Sequence, residues 1–280
     1  MPTVLITGCS SGIGAAIALR MAEAGWTVYA TARRPESLES LVQAGARPLS
    51  LDVTSEASRR AAVAAVEREQ GHIDAVVNNA AYSQSGPVEE VPIDLVRKQF
   101  ETNVFGLLRL TQLVLPGMRR AGAGRIVNIG SMGGRLTFPG GGIYHASKHA
   151  LVALNDALRF EVQGFGIDVI LIEPGLIRSG FADVALASLD RIEHRAGPYA
   201  HFTREVGRIT SESYEKGPLK RMTGSPEDVA TVVHEALTTS HPKTRYRVAR
   251  SARFFLALRA LVSDRRWDGF MARTYPRPGR

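Results

Sequence analysis

The feature that most constrains how this chain can fold is a short apolar run, Thr3 to Thr7, that passes straight into a turn containing Gly8, Gly12 and Gly14. The run reads as a buried strand, and the apolar periodicity that continues to Ala24 reads as a helix. Glycines between a first strand and a first helix let the backbone turn tightly and approach a pyrophosphate, whose charge the helix N-terminus meets. Gly8, Ser10, Ser11, Gly12, Ile13 and Gly14 are therefore the candidate cradle for a dinucleotide. Glycines also serve turns for backbone reasons alone. The spacing is G-x-x-x-G-x-G rather than the more familiar G-x-G-x-x-G.

Trp26 to Ala32 reads as a second strand and ends in Arg33 and Arg34. In a dinucleotide-binding unit this strand end faces the adenosine ribose, where an acid binds a 2′-hydroxyl and an arginine accommodates a 2′-phosphate. No acid stands here. Arg33, with Arg34 as a second contact, favours NADP(H) over NAD(H), with solvent-exposed loop arginines as the alternative.

Leu49 to Val53 reads as the third strand, placing Asp52 to accept from the adenine amino group and Val53 against the ring. Asp52 or Thr54 is equally suited to start the helix expected from about Glu56 to Gln70. Ile73 to Val77, Arg125 to Gly130, Ile167 to Ile172 and Thr244 to Ala249 supply four more strands. The fourth ends in Asn78, Asn79, Ala80 and Ala81, where a cofactor would cross the sheet edge. A long helix from about Asp94 to Met118 carries Asn103, and another from about Pro226 to Thr239 has Ser225 as its N-cap. Residues 180–222 show no strand pattern, scatter Phe181, Tyr199, Phe202 and Tyr214 among charges, and read as one or two helices forming a lid.

Chemistry concentrates between Ser131 and Lys148. Tyr144 and Lys148 are four apart on a helix expected to run to about Val162, so phenol and amine share a face. A lysine cation beside a tyrosine favours phenolate and is expected to lower the tyrosine pKa toward neutrality. Ser131, at the end of the fifth strand, is placed to hydrogen-bond a carbonyl or alcohol oxygen lying between itself and Tyr144. A tyrosine and lysine at this spacing also occur on ordinary helices, so the pair takes its meaning from the rest of the chain.

The net charge of +8 is unevenly placed. Residues 241–280 hold 11 Lys and Arg against Asp264 and Asp268, leaving 24 basic and 25 acidic residues in the rest. Phe254, Phe255, Leu258, Leu261 and Val262 recur at helical spacing between arginines, which fits a helix packed on the domain or on a partner subunit. Peripheral contact with an anionic membrane is the alternative use of this basic end, and nucleic acid is not expected as a partner. Cys9 is the only cysteine, so no internal disulfide forms, zinc chemistry is not expected, and a reducing cytoplasm is the natural setting. The start of the chain shows no charged leader or apolar h-region, which suggests no secretion. Cys9 itself reads as a small turn residue that exposure would make sensitive to thiol reagents. No linker divides the chain, so residues 1–250 read as one dinucleotide-binding and catalytic domain and 251–280 as a basic amphipathic extension.

Taken together, Thr7-Gly8 with Gly12-Ile13-Gly14, Asp52-Val53, Asn78-Asn79-Ala80, Asn103, Ser131 thirteen before Tyr144, Lys148, and Pro174-Gly175 with Ser179 resemble the short-chain dehydrogenase/reductase family. The resemblance covers roughly residues 3 to 250. It implies an α/β fold: a Rossmann-type doubly wound sheet of about seven mainly parallel strands with helices on both faces. It implies NADP(H) as cofactor and Asn103, Ser131, Tyr144 and Lys148 as the catalytic tetrad. By the same likeness Lys148 depresses the Tyr144 pKa and binds the nicotinamide ribose, Asn103 positions a water, and Asn79, Ala80, Pro174, Gly175, Ile177 and Ser179 flank the cofactor. Ala81 stands where the family usually has glycine, and Ser179 where it has threonine. His145 and His149 lie outside the tetrad and read as structural.

Within the family, the segment Ala30 to Arg34, the stretch Ser131 to Arg135 and the basic C-terminal segment resemble the branch of 17β-hydroxysteroid and retinol dehydrogenases. That branch suggests a lipophilic carbonyl or alcohol as substrate, while the family at large implies a homodimer or homotetramer. A sugar-nucleotide epimerase also uses a tyrosine and lysine at this spacing, but with a different glycine spacing and a longer C-terminal domain. The alternative of another class is an NADP(H)-binding sensor or scaffold without turnover, against which the intact tetrad argues.

Overall fold

The computed structural model of the chain describes residues 1–192 and 197–279. Strand β1 (Thr3–Ile6) is buried along its whole length, with Val4 and Ile6 in one core layer and Leu5 in the other. A central parallel strand is covered on both faces, which is why its sequence is a continuous apolar run rather than an alternating one. β1 pairs on one side with β2 (Thr27–Ala32), which in turn pairs with β3 (Arg47–Ser50). On its other side lie β4 (Ala75–Asn78), β5 (Gly124–Ile129), β6 (Ile167–Pro174) and β7 (Arg245–Val248). The order is 3-2-1-4-5-6-7 and every pairing is parallel, where the sequence suggested a mainly parallel sheet. Strand order reverses between β1 and β4, and open α/β sheets bind ligands outside the strand ends at such a point.

The helices follow in chain order: α1 (Gly12–Glu23), the short α2 (Glu39–Gln43) and α3 (Glu56–Gln70). After β4 come α4 (Ile93–Phe100), a π-helical turn over Glu101–Gly106, and α5 (Leu107–Ala121). α6 (Gly142–Val162) follows β5. Beyond β6 lie α7 (Phe181–Leu189), α8 (Ala200–Glu215), the short α9 (Gly217–Lys220) and α10 (Pro226–Thr238). α11 (Arg250–Leu261) and α12 (Asp264–Met271) complete the chain. Among the described residues no helix is long and apolar enough to cross a membrane.

One face of the sheet packs Val4, Ile6, Val127 and Ile170 against Ile17 and Met21 of α1 and Val229 and Val233 of α10. The other packs Leu5, Val76, Ile126 and Val169 against Val63 and Val66 of α3 and Leu110, Val114 and Met118 of α5. Each such side chain contributes about 1.5–3 kcal/mol on burial, so the two layers hold the sheet flat against its helices. α10 starts where Ser225 and Asp228 exchange backbone and side-chain hydrogen bonds, with Pro226 in the first turn.

Two boundaries differ from the sequence reading. β3 ends at Ser50, because the Asp52 carboxylate accepts from the backbone and hydroxyl of Thr54 at 2.9 and 2.7 Å and turns the chain. The following helix is capped by Ser55, whose hydroxyl accepts from Ser58, rather than by Asp52 or Thr54. The single helix expected from Asp94 to Met118 is broken by the π turn. Gly106 lies so close to the Val53 carbonyl that a Cβ there would overlap it. A π turn closes each hydrogen bond over one residue more than an α turn does, and this one carries Asn103 into the interior, 1% exposed.

Candidate active site

The glycine turn between β1 and α1 sits at the switch point. Gly8 and Gly12 have φ of 71° and 60°, the left-handed region that side chains disfavour. Gly14 is helical, but a Cβ on it would overlap the Gly8 carbonyl oxygen and lie 2.5 Å from the Asn79 amide nitrogen. Asn79 braces this turn, donating to the Thr7 and Gly8 carbonyls at 2.9 and 3.0 Å. The Thr7 hydroxyl accepts from the backbone of Asn79 and Ala80, both at 2.9 Å. Ser10 and Ser11 are exposed and Gly12 and Ile13 half-buried, at a helix start with no side-chain cap and no acid in its first turn. Such an end presents unmet N–H donors and the positive end of the helix dipole, which suits a pyrophosphate. These residues fit a nicotinamide dinucleotide.

The flanking residues close in on the same edge. Arg33 and Arg34 are exposed just past β2, and Arg33 lies near enough to Asp52 to affect its carboxylate. Burial pushes that carboxyl up, but the Thr54 bonds and the charges of Arg33 and Arg59 outweigh it and hold it below the usual range. Val53 is buried, and its carbonyl accepts from the Arg59 guanidinium. Ala80 and Ala81 are half-buried beside the glycine turn. Pro174 ends β6, Gly175 donates to the Val248 carbonyl at 3.0 Å, and Ile177 is buried. Ser179 comes back toward the turn: a Cβ on Gly12 would lie 3.4 Å from the Ser179 Cβ. Cys9 faces inward, buried, with its thiol pushed up to about 12 by desolvation, so it is a small turn residue without the exposure that thiol reagents require.

Across this edge stand Ser131, Tyr144 and Lys148. Ser131 leaves β5, and its hydroxyl accepts from the Gly133 amide at 3.0 Å and lies close enough to the Tyr144 phenol to favour its ionised form. The Lys148 ammonium lies 5.9 Å from the centre of the Tyr144 ring and donates to the Ile129 carbonyl at 2.8 Å. The expected depression of the Tyr144 pKa is absent. Desolvation raises it, and Tyr214 raises it further, while the Ser131 hydroxyl only partly offsets them. Lys148 is itself brought down to about 8 by burial. Both shifts share their largest cause, since low dielectric disfavours whichever form carries charge. Asn103 spends its amide on the protein: it donates to the Tyr82 carbonyl at 3.0 Å and the Ser147 hydroxyl at 3.1 Å, and accepts from the Tyr82 amide at 3.2 Å. Ser147 donates on to the Tyr144 carbonyl at 2.7 Å, so Asn103 is tied to α6 beside Tyr144.

α7 and α8 cover the site. The Phe181 ring lies 5.2 Å from that of Tyr144. Ser188 holds Ser85 by its hydroxyl at 2.8 Å and Gln84 by its carbonyl at 3.1 Å. The Tyr199 phenol donates to Glu89 at 2.6 Å.

The profile of the short-chain dehydrogenase family matches residues 2–188. The chain belongs to the short-chain dehydrogenase/reductase family. It is 33% identical over 276 residues to the uncharacterized oxidoreductase YusZ of Bacillus subtilis, covering 95% of this chain and 96% of that one. It is 34% identical over 281 residues to human 17-beta-hydroxysteroid dehydrogenase type 1, covering 93% of this chain and 81% of that one. Among solved structures, a serine dehydrogenase complexed with NADP+ superposes with a TM-score of 0.76 at 29% identity, covering 88% and 94% of the two chains. A short-chain dehydrogenase/reductase from Burkholderia phymatum in complex with NAD gives 0.79 at 25%, covering 100% and 97%. This short-chain dehydrogenase is thus an NAD(P)-dependent oxidoreductase acting on CH–OH and C=O groups.

Two sets of residues in this short-chain dehydrogenase escape a reading of motifs. Asn78 does not face the cofactor edge; it donates to Thr111 at 3.0 Å and to Asn128, its register partner on β5, at 2.9 Å. Asn128 donates on to Asn155 of α6 at 3.0 Å. This buried chain ties β4, β5, α5 and α6 together beneath the site. Its signal in the sequence is one asparagine within each of two apolar strand runs. The other is His145, which is buried against the Ser131 loop.

Proposed function

We propose that the protein is an NADP(H)-dependent carbonyl reductase or alcohol dehydrogenase for a lipophilic substrate, with Tyr144 as proton donor and Ser131 as holder of the substrate oxygen. The observation that carries this reading is that Ser131 and Tyr144 stand together at the same sheet edge as the uncapped helix start. When bound, the nicotinamide supplies or accepts the hydride, which is cofactor chemistry. Tyr144, kept protonated by burial, suits the reductive direction: it gives its proton to a carbonyl oxygen as negative charge develops there. Lys148 retains donors beyond its bond to Ile129 with which to hold ribose hydroxyls and to stabilise the phenolate left behind. Arg33 and Arg34 favour the 2′-phosphate of NADP(H), there being no acid at the end of β2.

Phe181 and Tyr214 come from the covering segment and stand near Tyr144. These surfaces suit a lipophilic substrate, and α7 and α8 act as its lid. The test is Tyr144→Phe assayed with NADPH and a panel of lipophilic ketones and aldehydes. Turnover should fall at least about a thousandfold while NADPH affinity is kept. Unchanged turnover would refute the mechanism, and tight NADPH binding by the native chain with no turnover on any substrate would favour a sensor.

A further inference from the structure

We infer that His145 is a positioning residue for the Ser131–Tyr144 pair: its imidazole is the wedge that fixes the loop from Ser131 to Gly141 against α6. The inference rests on the function proposed above and concerns what holds that pair in place. The loop leaves β5 at Ser131 and returns at the first turn of α6. The ring fills the space between its two ends. A Cβ on Gly133 would lie 2.5 Å from His145 Cδ2, and one on Gly141 would lie 2.6 Å from His145 Cε1. Only glycine leaves room for an aromatic ring at both places. Between them, the Phe138 amide donates to His145 Nδ1 at 3.3 Å, and the Phe138 ring meets the imidazole edge-on at 5.9 Å.

This contact reaches the reacting groups by short steps. Gly133, packed on His145, donates its amide to the Ser131 hydroxyl at 3.0 Å, and the Gly134 amide donates to the Ser131 carbonyl at 3.0 Å. The Tyr144 ring lies 5.6 Å from the imidazole on its other side. One side chain therefore supports both the hydroxyl that holds the substrate oxygen and the phenol that protonates it. An accepting Nδ1 requires an uncharged ring, and burial with the nearby His149 brings His145 down to about 4. His145 therefore carries no proton through the neutral range. Phe138 is held from behind by Phe255 and Trp267, at 5.5 and 6.1 Å between ring centres, so the end of the chain backs the wedge.

His145→Leu keeps the bulk and removes the acceptor, whereas His145→Asn places an amide oxygen near the position of Nδ1. Both are compared in the full chain by kcat and KM for carbonyl reduction, NADPH affinity, pH–rate profile and amide hydrogen exchange over residues 131–141. His145→Leu should lower kcat by about tenfold through misplaced reacting groups, leave NADPH affinity within about twofold, and speed exchange at Phe138. His145→Asn should restore most of the rate and the protection. The inference is overturned if Leu keeps the native rate and protection, if Asn and Leu lose both alike, or if either variant displaces a limb of the pH profile, as a proton carrier would. Tyr144→Phe separates this from the function itself. Should that variant still turn over, the proposed mechanism fails, while the exchange of the Phe138 amide continues to decide the role of His145.

Discussion

Trp267 and Thr137 lie 130 positions apart and are joined by a hydrogen bond from the indole nitrogen to the backbone carbonyl at 3.2 Å. The bond fastens α12 to the loop that leaves Ser131. Around it Phe255, Leu256, Trp267 and Met271 are buried against Met132 and Leu136, a third core cluster at the carboxyl edge of the sheet. The basic end of the chain thus packs Phe255 inward with Leu258 and Val262 partly buried, while Phe254 and Leu261 of the expected apolar stripe are exposed. Arg259 pairs with Asp264 and stacks 5.8 Å from Trp267.

That packing predicts a large loss of stability for a small change. Trp267→Ala should cost about 3–5 kcal/mol, the range for truncating a buried large aromatic, and removal of all residues after Ala249 should leave the cluster's apolar surface open and cause aggregation. Denaturant unfolding and light scattering check both. A truncated chain that stays monodisperse and fully stable would show that α11 and α12 contribute nothing to the fold.

The proposed preference for NADP(H) rests on Arg33. With a charge-assisted contact to the 2′-phosphate worth about 1.5–3 kcal/mol, Arg33→Ala should weaken NADPH binding by roughly tenfold to a hundredfold. NADH binding should change by less than about twofold, since the missing partner has no counterpart there. Calorimetric titration of both cofactors decides it, and equal losses would refute the preference for NADP(H).

Proton linkage gives a prediction in each direction. His145 titrates at about 4 in the folded protein against an ordinary 6.5, so between these values the unfolded chain binds a proton that the folded chain refuses. Stability therefore falls as pH drops from 6.5 toward 4, by on the order of 3 kcal/mol when complete. His145→Asn should flatten that acid limb in unfolding measurements. Lys148, at about 8 against 10.5, works in the alkaline window, where stability rises as pH is raised through it. Lys148→Met should abolish the rise.

How much of this was legible beforehand divides along physical lines. The glycine spacing at Gly8, Gly12 and Gly14, the apolar strand runs and the placement of Ser131, Tyr144 and Lys148 are local patterns, and periodicity suffices to set them on strands, turns and helices. Hence the seven-stranded sheet and the family were both readable in the chain. The π turn at Asn103 was not, because it depends on how closely Gly106 approaches a carbonyl of Val53, fifty-odd positions earlier. Nor was the buried chain of Asn78, Asn128 and Asn155, which exists only once β4, β5 and α6 are side by side.

The sequence by itself determined which groups meet at the sheet edge; tertiary structure decided what state those groups are in. Lys148 four residues from Tyr144 argues for an acidified phenol, yet desolvation leaves the phenol raised and the ammonium lowered. Cys9 reads from the sequence as a small turn residue, and only packing decides that its thiol is buried and held protonated. Burial and dielectric are sums over everything packed around a group, including side chains such as Phe181 and Tyr214 from far along the chain, and no local spacing encodes that sum.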